Sequence, residues 1–507
     1  MQKQSTLQRA MVAMKQSAKE DAKSKKKRTH KVDRYAGVNG EVVGDFDCML
    51  NQTNIGNNNN KYYVIQVIKS GNTYYAFNRW GRVGEPGQLA LKHHGGNLDG
   101  AKKDFMKKFH DKTKNDWTSR NKFKPVPGKY TLLEMGDEDE EETQAVVVSS
   151  PSAGLGKIKQ SQLDAITQKF IKLIFDNDMF KEALIQMEID VKKMPLGKLS
   201  KGQIVKGFEV LDKIKAVLDK NSQKGLTELS NEFYTVIPHD FGRQRPPVIS
   251  DQDHLRKKLD MLITLGDIEL AQNMLKQDDK PGKDGEPIAN PLDQHYKKLQ
   301  CNLALLSHND KEYQILEKYT QSTGGFRTKK LLHIWKVDRQ GEGQRFKQHE
   351  KIGNRKLLWH GTNVAVVAAI LKSGLRIMPH SGGLVGRGIY FASENAKSAG
   401  YVRPARNIGY MFLNEVALGN EHSITMSDSS LTKAPPGYDS IVARGRNEPD
   451  PKLDQTLVLD GHKVSVPQGK PKPQPKWQKS GFFQSEYLVY KESQARIRYI
   501  CELQFDF

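Results

Sequence analysis

The sequence predicts a multidomain α+β protein: a small β-rich module, then an all-α module, then a mixed α/β module. Three patterns along its 507 residues predict this order. β-Branched and aromatic residues dominate around residues 62–77, a 3.6-residue apolar period runs through 158–280, and short strand-like segments with few helices fill 291–507. At roughly 150 residues a domain, the chain has room for about three domains.

The chain is strongly basic, with a formal net charge of +21 and 27% charged residues. An excess of this size indicates a polyanionic partner, with nucleic acid as the first candidate and an anionic membrane surface as the second. A basic protein that is merely soluble is the alternative.

Cysteine usage and hydropathy exclude several classes of protein. Three widely separated cysteines, Cys48, Cys301 and Cys501, fit a reducing compartment and suggest neither a disulfide framework nor a CxxC zinc finger. The longest wholly apolar run, Val364 to Leu371, is eight residues long, whereas a membrane span needs roughly twenty. The N-terminus has no continuous apolar core, so we expect neither a secretory signal nor a membrane segment.

The first module is preceded by a basic tail, residues 1–37, that we expect to be disordered. Residues 1–34 hold eleven Lys/Arg against three acids, most densely from Lys23 to Arg28. Such a cluster can serve as a nuclear address or as an electrostatic tether to DNA, and a solvated tail without a specific reader is the alternative.

Residues 38–135 are predicted to form the β-rich module. Tyr62 to Ile68 and Thr73 to Phe77 flank the turn Ser70 to Asn72, which predicts a hairpin. An amphipathic helix is predicted near 99–111, since apolar residues recur every four positions there while lysines face away. The apolar positions are Ala101, Phe105 and Phe109.

Aromatic and basic residues are interleaved in this module. Trp80, Gly81 and Arg82 follow the hairpin, and Tyr74, Tyr75, Phe77 and Trp117 lie among lysines. Such rings can stack on exposed bases at a DNA end while the cations neutralise phosphates. Trp80 can also be a core indole, with Arg82 reaching outward.

A linker separates this module from the helical one. Residues 136–157 contain six consecutive acids, Asp137 to Glu142, and too few apolar residues to pack. The helical module, 158–285, carries the 3.6-residue period and is interrupted at Pro195 to Gly197 and at Pro238 to Pro247.

Four short segments of the last module, 286–507, carry a chemically suggestive set of side chains. One imidazole, two phenol rings, one hydroxyl and one carboxylate suit the binding of a flat aromatic amide and the labilising of the glycosidic bond that holds it. Because His360 and Glu486 are 126 positions apart, spacing alone does not connect them. The segments are Leu358 to Thr362, Gly388 to Ala392, Lys397 to Tyr401 and Ser485 to Leu488.

Other nucleotide and metal motifs find no support. The glycine-rich residues 382–388 have the wrong spacing for a dinucleotide loop, and no long helix is predicted after them. The chain has no GxxxxGK[ST] or HExxH sequence. The adjacent His93 and His94 would diverge on a helix or strand, so an exposed loop explains them better than a metal pair. We expect no metal.

Together these features resemble the DNA-dependent poly(ADP-ribose) polymerases, whose catalytic domain is a diphtheria-toxin-like ADP-ribosyltransferase with antiparallel sheets. The resemblance covers nearly the whole chain, in the order basic tail, WGR domain, helical regulatory domain and ADP-ribosyltransferase domain. It rests on the residues from Trp359 to Tyr401, Phe482 to Tyr487 and Met194 to Ser200. The lack of Cys-rich fingers points to the short members, and Gly374 to Gly383 looks most like the third, mono-ADP-ribosylating member.

The resemblance implies a role for each matching residue in binding NAD+ as substrate. It implies catalytic roles for Glu486, His360 and Tyr390. It also implies that the backbone of Gly361 and the hydroxyl of Ser398 contact the carboxamide of NAD+. Glu486 would stabilise the positive charge that develops as the C–N glycosidic bond breaks. The implied NAD+ contacts are His360 to ribose, Gly361, Thr362 and Ser398 to carboxamide, Tyr390 and Tyr401 around the nicotinamide ring, and Arg376 and Asp267 towards adenosine.

The resemblance also implies regulation and partners. In the resting state the helical domain would cover the NAD+ cleft, and Trp80, Gly81 and Arg82 would engage a 5′-phosphorylated DNA break, loosening that cover. Acceptors would be proteins, the enzyme itself included, and we expect a nuclear monomer. Arg387 departs from the lysine of many relatives, which alters hydrogen-bond geometry there.

Two alternatives stay open at this level. One is a polymer-forming poly(ADP-ribose) polymerase, which Glu486 leaves chemically possible. The other is a catalytically dormant scaffold that binds DNA ends, against which the intact His360, Tyr390 and Glu486 argue.

Overall fold

The computed structural model describes residues 30–135, 158–186, 199–276, 289–377 and 383–506. The expectations for the basic tail before residue 30, for the acidic linker up to residue 157, for the 194–198 stretch and for 378–382 lie outside these residues. The chain divides into two compact units. Among the described residues, the first is formed by 30–135, 180–186 and 199–269, and the second by 158–179, 270–276, 289–377 and 383–506.

The first unit contains a five-stranded antiparallel sheet with strand order β4-β3-β2-β1-β5. Its predicted hairpin is confirmed: Ser70 pairs with Thr73 across a turn in which Gly71 has a φ of +57°, a left-handed value that favours glycine. The strands are β1 (Glu41–Asn54), β2 (Asn59–Ser70), β3 (Thr73–Arg82), β4 (Gln88–His93) and β5 (Thr131–Leu132).

Both faces of this sheet are covered by apolar side chains. The predicted amphipathic helix is present as α1 (Leu98–Thr113), and Ala101, Phe105 and Phe109 are fully buried against one face. The interpretation of Phe77 and Trp117 as base-stacking rings is wrong. Both side chains are buried in the core of the unit, where Trp117 packs edge-on against Phe105 and Phe109.

Five helices follow in the described part of the chain. Of the two predicted proline breaks, the one at Pro238 to Pro247 is present, and the one at Pro195 to Gly197 lies outside the described residues. The loop 237–251, which contains Pro238 and Pro247, divides the fifth from the sixth helix of the chain. Ser200 begins the fourth helix by accepting a hydrogen bond from the backbone N–H of Gln203. The helices are α2 (Ala165–Ile174), α3 (Asn177–Gln186), α4 (Lys201–Leu218), α5 (Leu226–Val236) and α6 (Gln252–Lys276).

Within the first unit, the sheet and the helices are joined by buried polar bonds. The Asn51 side chain donates to the carbonyl of Tyr234 at 3.0 Å, and the Asn60 side chain donates to the carbonyl of His239 at 2.7 Å. Because such bonds replace water on both partners, they fix how β1 and β2 lie against α5 and the loop that follows it.

The second unit is built on an eleven-stranded sheet with a separate three-stranded sheet of order β16-β13-β17. Its helices are α7 (Pro291–Leu299), α8 (Lys311–Thr323), α9 (Glu342–Phe346), α10 (Val367–Ser373) and α11 (Asn395–Ala399). Its strands are β6 (Cys301–Leu305), β7 (Thr328–Arg339), β8 (Arg355–Gly361), β9 (Ile389–Ala392), β10 (Ile408–Ala417), β11 (Glu421–Ile424), β12 (Ser440–Ala443), β13 (Gly445–Pro449), β14 (Gln455–Leu459), β15 (His462–Val466), β16 (Pro471–Pro473), β17 (Phe482–Gln484), β18 (Glu486–Val489) and β19 (Ala495–Phe505).

Most strand pairs of the large sheet are antiparallel, and its main path runs β11-β12-β18-β9-β8-β10-β19-β7-β6. Helix α2 belongs to this unit, although its apolar period resembles that of the other helices. Its Phe170 ring stacks on Trp335 at 4.9 Å, and Thr167 accepts a 2.9 Å hydrogen bond from the Trp335 indole. The multidomain α+β class, with antiparallel sheets in the last module, is therefore confirmed.

Candidate active site

Strand β9 brings the two distant segments of the candidate site together. It lies between β18 and β8, and Ala392 pairs with Glu486 on one side and with Trp359 on the other. The residue after Trp359 is His360, so imidazole and carboxylate come from neighbouring parts of one sheet. Because β9 pairs with both β8 and β18, His360 and Glu486 lie close together although they are 126 positions apart in the chain.

Gly361 allows α11 to approach the end of β8 closely. A Cβ atom at this position would lie 1.9 Å from the backbone carbonyl oxygen of Ser398. The Ser398 hydroxyl in turn donates to the carbonyl of Trp359 at 3.1 Å. A glycine is therefore required here by close packing, and it holds the helix that carries Lys397 and Ser398 beside His360.

The His360 imidazole has a defined hydrogen-bond polarity. Its Nδ1 lies 2.9 Å from the carbonyl oxygen of Tyr390, which can only accept, so Nδ1 carries the proton. Burial lowers the pKa of His360 below its ordinary value, against the backbone hydrogen bond that raises it. The neutral ring leaves Nε2 as an acceptor, which suits a ribose hydroxyl.

Glu486 is buried and paired with a lysine. Its side chain is among the most enclosed in the site, and Oε1 lies 2.5 Å from Nζ of Lys397. Burial acts to lower the pKa of the Lys397 ammonium, but the charge of Glu486 and their hydrogen bond outweigh it and raise that pKa. The pair therefore holds a carboxylate in place next to α11 and His360.

The tyrosines differ in how far the structure fixes them. The Tyr390 hydroxyl donates to the Gly386 carbonyl at 2.6 Å and accepts from the Val385 N–H at 3.1 Å, so the ring is anchored to the loop before β9. Burial raises the pKa of Tyr390, which stays a neutral phenol. Tyr401, just after α11, is 61% exposed. An exposed ring at this place can be covered by a flat aromatic ligand.

The remaining predicted NAD+ contacts are less constrained. Thr362 is half-buried directly after β8, and Arg376 is half-buried after α10. Ser398 directs its only hydroxyl proton to Trp359, so donation to a carboxamide would require rotation of that hydroxyl. Asp267 is buried on α6 in the first unit. The roles of these residues towards NAD+ stay predictions.

Three polar residues of the site region did not emerge from the sequence. Lys397 lies inside a motif that drew attention only to Ser398 and Tyr401, and Glu394 and Gln484 form a buried pair through a 2.6 Å hydrogen bond. The pair connects the residue that begins α11 to the strand that leads into Glu486. No local pattern could have revealed it, because its members are 90 positions apart.

The Glu394 carboxyl makes stability depend on pH. Burial raises its pKa to about 7 against the Gln484 hydrogen bond, and Oε1 has no hydrogen-bond partner within the part of the chain that the structure describes. The folded chain thus keeps a proton that the unfolded chain releases near pH 4.5, so the free energy of unfolding should fall as pH rises from about 4.5 to about 7.

We expect the substitution Glu394→Gln to remove this fall in the free energy of unfolding with rising pH. Its free energy of unfolding by denaturant should match that of the parent at about pH 5 and exceed it at about pH 8, by on the order of 3 kcal/mol. Glu350→Gln, which changes an exposed carboxylate, is the control and should show no such pH-dependent gain. Equal stability of parent and Glu394→Gln at both pH values would contradict the account.

In the first unit, the predicted DNA-binding triad lies at the end of β3. Trp80 is half-buried and stacks on Tyr63 with centroids 5.5 Å apart, which supports its interpretation as a core indole. Gly81 lets the backbone at Gly87 come close, since a Cβ there would lie 2.7 Å from the Gly87 Cα.

The Arg82 side chain forms hydrogen bonds with backbone carbonyls and does not extend freely outward. Its guanidinium donates to the carbonyl of Asn58 at 2.8 Å, to that of Gln244 at 2.8 Å, and to that of Gly242. Two of these carbonyls belong to the loop between α5 and α6, so Arg82 connects the β-rich module to the helical one within the first unit. Contact of the triad with DNA stays a prediction.

The side chains of the second unit fit a specific chemistry. A neutral imidazole with a free acceptor nitrogen, an exposed ring and a buried, lysine-paired carboxylate suit a ribose bearing an aromatic amide. NAD+, the substrate that the family resemblance implies, combines these groups. Among the described residues, no group of three or more His, Cys, Asp or Glu is arranged to hold a metal ion, and none of the described helices is long and apolar enough to cross a bilayer.

Comparison with known proteins supports this reading in all three modules. Residues 46–124 match the WGR domain, 161–296 the poly(ADP-ribose) polymerase regulatory domain, and 310–505 the poly(ADP-ribose) polymerase catalytic domain. Protein mono-ADP-ribosyltransferase PARP3 of mouse is 53% identical over 91% of this chain and 89% of its own length. The human protein of that name is also 53% identical, over 91% and 88%, and human poly [ADP-ribose] polymerase 2 is 39% identical, over 91% and 80%.

The fold and the site thus define an NAD+ ADP-ribosyltransferase. The chain belongs to the poly(ADP-ribose) polymerase family, as a WGR-containing member similar over most of its length to the third one. The predicted family and enzyme class are confirmed.

Proposed function

We propose that the protein is a nuclear, DNA-break-activated enzyme that transfers single ADP-ribose units from NAD+ to proteins, itself included, in the DNA damage response. The 53% identical relatives are named mono-ADP-ribosyltransferases, which supports mono-transfer. A net charge of +21 and the WGR module support a DNA partner.

The geometry of the second unit supports the chemistry of this transfer. NAD+ supplies a glycosidic bond whose leaving group, nicotinamide, departs as a neutral molecule, so no strong general acid is needed. Nε2 of His360 accepts a hydrogen bond from a ribose hydroxyl, while Tyr390 and Tyr401 enclose the aromatic amide. Glu486 places its negative charge beside the ribose, where positive charge develops in an oxocarbenium-like transition state.

The observation that supports activation by DNA is the set of hydrogen bonds that Arg82 donates to backbone carbonyls. Its contacts with the loop between α5 and α6 give the β-rich module a direct physical connection to the helical one. DNA that binds one arrangement of this connection more tightly than another will shift the helical module towards it. A 5′-phosphorylated break near Trp80 and Arg82 is the proposed trigger.

We expect Arg82→Ala to reduce the stimulation of nicotinamide release by nicked DNA about tenfold, which is within the usual range of allosteric coupling. Basal release without DNA should persist. The measurement is the ratio of initial rates with and without saturating nicked, 5′-phosphorylated DNA, together with the Kd for that DNA.

Arg243→Ala is the matched control, because the Arg243 side chain lies on the same loop but is 91% exposed. It should retain full stimulation. Undiminished stimulation in Arg82→Ala would mean that another surface senses the break, and a lost stimulation with an unchanged Kd would assign Arg82 to coupling rather than to DNA binding.

A further inference from the structure

The segment that leads into Glu486 is rich in exposed cations. Residues 461–485 contain five lysines and no Asp or Glu. Three of them, Lys470, Lys476 and Lys479, are exposed and form no ion pair within the described residues. Arg446 on β13 is also exposed, with its guanidinium 5.5 Å from the centroid of Phe483. We call these four cations and Phe483 the basic face.

The basic face is held together by the small sheet. β16 and β17 pair with β13 on its two sides, and the backbone N–H of Gln474 donates to the carbonyl of Arg446 at 2.8 Å. Of the other two lysines of this stretch, Lys463 lies on β15, and Lys472 is neutralised by Asp450 at 2.6 Å. The unpaired cations therefore sit on a folded scaffold that continues through Gln484 into the catalytic strand β18.

We propose that the basic face docks the acceptor, and that the acceptor is an extended, Glu- and Asp-rich protein segment. The inference rests on the proposed transferase function. The argument for this proposal is charge complementarity. An acceptor carboxylate must come close to Glu486 and to the pyrophosphate of NAD+, and these negative charges repel one another at short distance. Four unpaired cations beside the catalytic strand offset that repulsion.

The bond-making step also favours a carboxylate acceptor. The C1′–N bond of NAD+ breaks with its electron pair leaving on neutral nicotinamide, and a carboxylate oxygen of the acceptor forms the new C1′–O bond. No proton has to be removed from an ionised carboxylate. This suits a site in which the Glu486 carboxylate is already engaged by Lys397 at 2.5 Å.

The aromatic residues of this region favour a peptide over a nucleic acid. Phe483 is 62% exposed, but Arg446 lies over its ring. The Trp477 ring is likewise covered by Nζ of Lys476 at 4.8 Å. A nucleic acid would need open ring faces on which bases stack, whereas an acidic segment needs only the cations.

The test uses the full-length protein and the triple variant Lys470→Gln/Lys476→Gln/Lys479→Gln. Binding of a fluorescent peptide of alternating glutamate and serine is measured by anisotropy without NAD+, and transfer to it with labelled NAD+. We expect the variant to raise both the Kd and the KM for this peptide about tenfold, at roughly the strength of three exposed charge pairs. Release of nicotinamide without peptide should be retained.

The matched control is Lys311→Gln/Lys318→Gln/Lys351→Gln, which removes three exposed lysines of the same unit outside the small sheet. It should leave the Kd for the peptide unchanged. An unchanged Kd for the acidic peptide in the Lys470/Lys476/Lys479 variant would overturn the proposal. So would an equal rise in the Kd for a peptide in which glutamine replaces each glutamate. A variant that loses only the binding of oligothymidine, a single-stranded DNA, would also overturn it. Absence of nicotinamide release from the parent would instead refute the proposed function, while the peptide Kd would still decide the docking surface.

Discussion

Glu486→Gln is expected to lower the rate of nicotinamide release and of ADP-ribose transfer by roughly 10²- to 10³-fold, the usual cost of removing one electrostatic contact to a transition state. Glutamine keeps the size of the side chain and one acceptor oxygen but not the charge. The loss should therefore appear in kcat, while the KM for NAD+ and the Kd for nicked DNA change little. The measurement is initial-rate kinetics with labelled NAD+ at saturating DNA.

A second effect of this substitution has to be separated from the first. Glu486→Gln leaves the ammonium of Lys397 without its carboxylate in a largely enclosed site, which destabilises the fold by itself. The double variant Glu486→Gln/Lys397→Met removes both charges. If the carboxylate acts on the transition state, the double variant stays as slow as the single one; recovered activity would show that the unpaired lysine caused the loss. Glu350→Gln is the exposed control and should be as active as the parent.

Gly361→Ala should abolish most of the activity, by about 10²-fold or more, since misplacement of catalytic groups by an ångström costs this much. The new Cβ would overlap the Ser398 carbonyl at 1.9 Å, and both are backbone-anchored atoms that have no rotamer to escape into. Helix α11 must then move away from β8 and take Lys397 and Ser398 with it. The measurement is kcat/KM for NAD+, with the unfolding midpoint as a check on folding.

Gly353→Ala is the matched control, because a Cβ at Gly353 meets no atom within 4 Å. It lies just before β8 and should retain the activity of the parent. Full activity in Gly361→Ala would contradict the claim that close contact between α11 and β8 positions the site.

Local patterns predicted the local structure well. The hairpin of β2 and β3 follows from alternating β-formers around a glycine turn, and α1 follows from apolar residues at every fourth position; both depend on neighbours along the chain. The predicted catalytic set follows from the family resemblance. Its residues do come together, because β9 pairs with the strands of both His360 and Glu486.

Long-range packing could not be inferred in the same way. Apolar periodicity identifies α2 as amphipathic but does not say which core it joins, and Phe170 packs on Trp335 of the second unit. Composition likewise does not distinguish a core ring from a surface ring, and Trp117 is a core ring. The Lys397–Glu486 and Glu394–Gln484 pairs depend on strand pairing, which no single sequence segment encodes.

The most direct test of the account is incubation of the full-length protein with labelled NAD+, with and without nicked, 5′-phosphorylated DNA, followed by separation of the products by size. We expect label that increases with DNA and appears as a single discrete shift. A DNA-stimulated ladder would place the protein with the polymer-forming members instead. No label under either condition would contradict the central claim and favour a dormant scaffold that binds DNA ends.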